Sequence, residues 1–534
     1  MFYMFNSNSW KSLPKWQYLV AYHDERRFKI MLNKATLPEN IMGKLHAWER
    51  YDTIVERLRA TKLIVDEIPK YITLAKKFKK KGKITDLDPS IIAKIPYWGS
   101  LYEHQKKAVA YGILDFKGRV YLADEMGAGK TYSAITILNY LLLQKGGHNK
   151  VLILCPASLQ KNWKTVVAEK GIADAEVHIL SYDKAKNVHK DVKANKYDAC
   201  LLDEAHYLKE TKTARYKKLA PALKRIEYRI LISGTAVVNR SDELYAPLSL
   251  LYPKIFKSKK KFMDRYFNKI SRKCRLPNEV ALMLPFFGFV RRTKNEVLNL
   301  PPKVTTVHTI EDKKATVSFK IMLNKMRDPE NMENPSMMKY LIGEAFHSLA
   351  TIKSESEPFK FKLMELLKDT NEKTTSKVVF CIHKSIVECL KGICDYLNMS
   401  YSVINGETAV KKRGSIVEQF QNGKIDVLIC SIQAAGVGLT MTHSNHVILA
   451  ESSWVPGNNS QATDRVHRIG QTKKVYVDRV FCNSSIDQFI QTCEKGKRKM
   501  HRVLLKHLKE KKAKKGSIKC YLKQECQNVN CMSS

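Results

Sequence analysis

Long apolar runs are absent from this chain. Nowhere in its 534 residues do apolar side chains approach the ~18 in a row that a membrane-spanning helix needs, which excludes a transmembrane helix bundle. The opening residues, MFYMFNSNSW, have neither the basic stretch nor the long apolar core of a secretory leader, so an intracellular protein is expected. The 12 cysteines are not spaced as a disulfide framework. Cys155, Cys200, Cys381 and Cys430 sit in or beside apolar runs, as small core residues do. Cys520, Cys526 and Cys531 lack C-x2-C spacing, and no histidine follows His507. Free thiols, rather than a zinc site, are expected there.

Negative charge is also scarce. Asp plus Glu number 52 against 93 Lys plus Arg, a formal charge of +41. Such an excess argues against an ordinary metabolic enzyme and for a polyanionic partner, of which nucleic acid is the commonest. An apolar content of 44 % excludes a disordered chain. At ~150 residues per domain the length suggests about three domains.

What is present is an alternation of short apolar runs with helical stretches, the pattern of parallel α/β sheets. One series is RVYLAD (119–124), VLILCP (151–156), EVHIL (176–180), YDACLLD (197–203) and RILIS (229–233). A second is KVVFCI (377–382), SYSVIN (400–405), IDVLICS (425–431), HVILAE (446–451) and VYVDRVF (475–481). Two α/β lobes in tandem are therefore expected, at 96–250 and 376–494. Residues 251–375, rich in Lys, Met and helix formers, read as helical insertions protruding from the lobes. Residues 1–95 read as a basic, partly helical accessory region, with an amphipathic helix in HAWERYDTIVERLRATKLIV and a basic run in LAKKFKKKGK (74–83). Residues 495–534 read as a basic helix and tail. A charge run is often only a solvated face; both basic segments are equally readable as DNA contacts.

ADEMGAGKT (123–131) lies between a strand and a helix-like run, the context of a phosphate loop. Gly127 and Gly129 free the backbone to turn its N–H groups toward phosphate, and a helix N-terminus favours the anion. Lys130 would neutralise the β and γ phosphates, and Thr131 would offer its hydroxyl to Mg2+. Asp124 stands where the strict G-x4-G-K-[ST] pattern has its first glycine; with Ala128 it is counted among the nucleotide-contacting loop residues. LLDEAH (201–206) ends an apolar strand, where α/β sheets bind ligands. Asp203 would hold Mg2+, and Glu204 would orient the attacking water. Gln105, in LYEHQKKAV, has an amide able to read an adenine edge. Ser233 and Thr235, in SGTAVVNR, are expected in the same cleft.

QATDRVHRIGQ (461–471) sets Arg465 and Arg468 three residues apart. If SQATDRVHR is helical, Gln461, Arg465 and Arg468 share one face. Asp464 could then pair with Arg468 as an ordinary surface ion pair.

DEMGAGKT, DEAH, SGT, FVRRTKNEVLNLPPK (289–303), AAGVGLTMT (434–442) and QATDRVHRIGQ occur in the order of the Snf-type ATPases, double-stranded-DNA translocases within helicase superfamily 2. Over about residues 96–490 the chain resembles that family. The resemblance implies tandem RecA-like lobes, an ATP and Mg2+ requirement, and duplex or forked DNA bound through its phosphates. It implies an adenine-reading role for Gln105, a phosphate-loop role for Gly127, Gly129, Lys130 and Thr131, and Mg2+ and water roles for Asp203 and Glu204. Gly436 and Gly438 match the glycine-rich motif linking DNA to ATP. Gln461, Arg465 and Arg468 match the motif completing the site from the second lobe, and Trp454 matches an aromatic near it. Ala128 stands where relatives usually carry Leu, and Ala236 where they carry Pro. The expected function is ATP-driven translocation on DNA in repair or fork remodelling, with no membrane partner. The expected place is the nucleus in a eukaryotic host, the cytoplasm or nucleoid otherwise; the Lys-, Asn- and Ile-rich usage also suits a viral genome. Three alternatives stand beside it: remodelling of chromatin or other protein–DNA complexes, an RNA helicase, and a non-catalytic basic DNA-binding scaffold. The final motif opposes the second of these, and the intact Lys130, Glu204 and arginines oppose the third.

Overall fold

The computed structural model describes residues 18–22, 27–32, 45–47, 65–66, 68–505 and 508, except 80, 195, 235–239, 269–272, 329, 332–333, 372–373, 375, 434–438 and 484. Three sheets organise them. The first is small: β1 (Tyr18–Tyr22), β2 (Arg27–Leu32), β3 (Leu45–Ala47) and β4 (Val65–Asp66) lie in the order β3-β2-β1-β4. Tyr-, Val-, Phe- and Ile-rich runs favour strands, so this part of the accessory region is sheet. The helix expected over HAWERYDTIVERLRATKLIV falls mostly outside the described residues; its two ends lie in β3 and β4. The basic run that follows begins within a helix, Lys70–Lys77.

The first lobe has six strands: β5 (Arg119–Leu122), β6 (Asn149–Cys155), β7 (Ala175–Ser181), β8 (Ala199–Asp203), β9 (Tyr228–Ile232) and β10 (Phe289–Val290). Their order is β10-β5-β9-β8-β6-β7, and every pairing is parallel. The second lobe has β11 (Lys303–Ile310), β12 (Lys377–Cys381), β13 (Tyr401–Ile404), β14 (Val427–Ser431), β15 (His446–Leu449) and β16 (Val475–Cys482), in the order β11-β16-β15-β12-β14-β13, again all parallel. All ten expected runs form strands.

A parallel sheet is covered on both faces, so its strands are apolar throughout and divide their side chains between two cores. In β6, Val151, Ile153 and Cys155 join the core beneath the helix Lys130–Lys145, while Leu152 and Leu154 join the opposite one. β12 splits the same way, Val378 and Phe380 against Val379 and Cys381. Cys155, Cys200, Cys381 and Cys430 lie on strands, and all four are buried and free.

Residues 251–375 differ from the expectation of protruding helices. Two strands inside this stretch, β10 and β11, complete the edges of the two sheets. Its helices share their cores: Pro277–Phe286 packs on the first lobe, while Lys313–Arg327, Pro335–Glu355 and Glu357–Lys368 pack on the second.

The C-terminal helix Ile486–Leu504 spans the two lobes. Ile486 and Ile490 are buried near its start, Ile486 in a second-lobe core, and Leu504 is buried in a first-lobe core. Its basic composition thus accompanies a structural seam. Leu504→Ala should lower unfolding stability by about 2–5 kcal/mol, read as a lower urea midpoint.

Candidate active site

The phosphate loop follows β5 and turns on two glycines in the left-handed region, Gly127 at φ 82° and Gly129 at φ 73°. A side chain on Gly129 would be strained by its positive φ, and its Cβ, 2.1 Å from Gln105 Nε2, would push the Gln105 amide aside. Lys130 opens the following helix. Its Nζ donates to the carbonyl oxygens of Asp124 (2.9 Å) and Glu125 (3.0 Å), curling back over the loop. Burial lowers the Lys130 pKa, against the pull of Glu204, Asp124 and Asp203. Thr131 is the next helical residue.

Asp203 ends β8, two strands from β5 across β9. One carboxylate oxygen accepts the indole N–H of Trp163 at 2.8 Å, and the other accepts the backbone N–H of Glu204 at 2.9 Å. Burial, then the adjacent Glu204, raises the Asp203 pKa. Glu204 adopts φ 49°, a left-handed conformation rare for a non-glycine residue. Its Oε2 lies 3.1 Å from His206 Nδ1 and accepts from Ser233 Oγ at 3.3 Å. Burial would raise Glu204; the hydrogen bond and charge of His206, with Lys130 and Arg465, hold it below the usual carboxylate range.

Gln105 is buried, with its amide engaged on both sides. Oε1 accepts from Tyr102 N at 2.8 Å, and Nε2 donates to Gly129 O at 3.1 Å. It therefore braces the loop in this state. Ala128 is buried, with its carbonyl 2.9 Å from His104 Nε2.

Asp124 departs from its expected place among nucleotide contacts. Its carboxylate is enclosed by Arg292: Oδ1 accepts the Arg292 backbone N–H (2.7 Å) and Nε (3.0 Å), and Oδ2 pairs with Nη2 (2.5 Å). Both side chains are 1 % exposed. Asp124 turns inward because a buried guanidinium needs a partner, and it fastens the loop to the segment leaving β10. Arg292 lay in plain view in FVRRTK, but nothing in its spacing marked it as the partner of Asp124.

From the second lobe, the helix Pro456–Thr463 stops before the arginines. Residues 464–468 form tight turns: Arg465 N donates to Ala462 O, and Arg465 O accepts from Met441 N. Gln461, Arg465 and Arg468 therefore do not share a helix face. Asp464 pairs with Lys294 (3.0 Å) and Lys303 (3.1 Å), so the alternative of an ordinary surface pair with Arg468 does not hold. Arg465 is buried; burial and Arg468 pull its pKa down to about 10, with Glu204 and Asp464 opposing. Arg468 donates to Leu439 O at 3.1 Å, and its Cβ lies 3.4 Å from where a Gly127 Cβ would be. Gln461 lines a cleft of about 850 Å³ between the loop and the second lobe, with Met126, Arg291 and Lys303. Trp454 is half-exposed, flanked by Phe346 and the Lys497 ammonium. Thr235, Ala236, Gly436 and Gly438 lie outside the described residues.

The geometry thus joins a phosphate loop and a carboxylate pair on one parallel α/β lobe to two arginines from a second, the arrangement of a two-lobe P-loop nucleotide-binding protein. Residues 104–171 and 164–340 match the SNF2-related domain, and residues 360–470 match the helicase conserved C-terminal domain. The chain belongs to the SNF2-related family. It is 29 % identical over 521 residues to the Xenopus laevis protein named SWI/SNF-related matrix-associated actin-dependent regulator of chromatin subfamily A-like protein 1, covering 90 % of this chain and 52 % of that one. It is 30 % identical over 429 residues to the Bos taurus protein named DNA annealing helicase and endonuclease ZRANB3, covering 72 % and 39 %. The chain thus spans only about half, or less, of the length of these two relatives. A solved structure, the Sulfolobus solfataricus SWI2/SNF2 ATPase core in complex with dsDNA, aligns over 76 % of this chain and 94 % of that one at 23 % identity and a TM-score of 0.36. Among the described residues no helix is long and apolar enough to cross a membrane.

Arg292→Ala should cost about 3–5 kcal/mol of stability, because it strands the buried Asp124 carboxylate. A thermal melt of the whole protein checks this: Arg292→Ala melts lower than Lys303→Ala, which removes one of the two partners of Asp464.

Proposed function

We propose that this protein is a DNA-dependent ATPase that hydrolyses ATP to move along duplex or forked DNA, acting in repair or fork remodelling and, in a eukaryotic host, in the nucleus. The observation carrying this reading is the meeting of the two lobes at the loop: Lys130 and the Asp203–Glu204 pair stand on the first, and Arg468 of the second lies against Gly127, its Cβ 3.4 Å from where a Gly127 Cβ would be. A structural ion-pair network has no need of a phosphate loop between its members. The fork role draws on the relative named as a DNA annealing helicase. The formal charge of +41 suits a phosphate backbone read without sequence preference.

In the proposed reaction, water attacks the γ-phosphorus, the bond to the β-phosphate bridging oxygen breaks, and ADP and phosphate leave. Glu204 orients the water, held in place by His206 and Ser233. Lys130 leaves its two loop carbonyls for the phosphates. Arg465 and Arg468 add positive charge as the transition state forms, so hydrolysis depends on the approach of the lobes. Thr131 and Asp203 supply hard oxygen donors that fit Mg2+. Mg2+ held there would supply positive charge to offset that of the phosphates. Gln105 is freed toward adenine by exchanging its bond to Gly129.

The test is ATP hydrolysis measured without nucleic acid, then with single-stranded DNA, duplex DNA, forked DNA and RNA. Duplex or forked DNA should stimulate, and Lys130→Ala should abolish turnover. Stimulation by RNA alone would overturn the reading. Arg465→Ala and Arg468→Ala should each lose on the order of 10^3-fold or more in turnover while binding duplex DNA as the wild type does in a fluorescence anisotropy titration. Normal turnover in either would return that arginine to a structural role.

A further inference from the structure

Trp163 lies on the helix Gln160–Lys170, which follows β6. β6 neighbours β8 in the sheet, and Asp203 stands at the end of β8, within reach of the Trp163 side chain. The Trp163 ring is wholly buried in the core beside Val151, Ile153 and Leu201. An apolar side chain would fill that space as well. The indole N–H has one use: at 2.8 Å it donates to Asp203 Oδ2. The other oxygen, Oδ1, is held by the backbone N–H of Glu204, and the Asp203 carbonyl accepts from Tyr182 Oη at 2.8 Å.

Two donors on separate oxygens fix the plane of a carboxylate. They occupy one lone pair on each oxygen and leave the rest of its acceptor capacity for a cation. Partners of this kind orient metal ligands, and losing one typically costs 10–100-fold in metal affinity or activity. We propose that Trp163 is a positioning residue, whose indole N–H sets the Asp203 carboxylate for the divalent cation that accompanies the nucleotide. This rests on the reading of Asp203 as a metal ligand given above.

The experiment titrates Mn2+ into the full chain with a slowly hydrolysed ATP analogue, following free Mn2+ by electron paramagnetic resonance. Trp163→Phe should weaken nucleotide-dependent Mn2+ binding by about 10-fold or more, with duplex DNA affinity unchanged. Replacing Trp163 with β-(3-benzothienyl)alanine, which keeps the ring shape and lacks the N–H, should give the same loss; it decides the matter if the Phe variant does not fold. Wild-type Mn2+ affinity in the benzothienyl protein would overturn the proposal and leave Trp163 a packing residue. A different pattern marks failure of the underlying reading: wild-type protein without nucleotide-dependent Mn2+ binding, or Asp203→Asn binding Mn2+ as tightly as wild type.

Discussion

The buried pair between Asp124 and Arg292 ties the phosphate loop to the segment that links the lobes. A guanidinium and a carboxylate, both closed to water, are stable only together, and removing either leaves a charge that cannot be hydrated. The pairing is supported by backbone. β10 extends the sheet beside β5, with Tyr121 N donating to Gly288 O, Ala123 N to Val290 O and Glu125 N to Arg292 O. Arg292 also reaches the carbonyl of His104, one residue from Gln105. One side chain thus holds together the loop, the helix that braces it and the start of the linker.

The linker carries that constraint to the other lobe. Lys294 donates its backbone N–H to Glu125 and its ammonium to the carbonyl of His467, and it pairs with Asp464. Lys303, the first residue of β11, takes the same carboxylate. Asp464 therefore sits where two linker lysines meet, and the turn carrying Arg465 is built directly after it. The helix stops at Thr463 because its next residues are claimed elsewhere, Asp464 by the lysines and the Arg465 carbonyl by Met441.

Much of this was legible in the sequence, for a physical reason. Strands covered on both faces must be apolar throughout, so the inner strands stood out, and the half-buried edge strands β7 and β13 kept enough apolar residues to be read as well. β10 and β11 did not: β10 is two residues long, and β11 is an edge strand, KVTTVHTI, exposed along most of its length and hence without a continuous apolar signal. The chemistry of the loop was legible because phosphate binding restricts residue type at Gly127, Gly129 and Lys130. Partner choice was not. Asp124 lay in a motif but faces Arg292, 168 residues away, and Trp163 finds Asp203 across a sheet order that no local pattern encodes. The helical face assumed for Gln461, Arg465 and Arg468 failed because tertiary ion pairs outweighed helix periodicity.

The two arginines are held differently, and the difference bears on how lobe position could govern hydrolysis. Arg465 is buried, feels the charge of Glu204 and, at about 10, still carries its own charge at neutral pH. A desolvated guanidinium held near a carboxylate is poised charge, with little reorganisation left to make when another anion enters. Arg468 instead lies against the loop backbone, close to Gly127, where any Cβ would meet its own at 3.4 Å. Gly127 serves the loop through its left-handed turn and lies in van der Waals reach of the second lobe. A side chain there would strain the left-handed turn of the loop, so the glycine that shapes the phosphate loop stands directly against the turn that carries the second lobe's arginines.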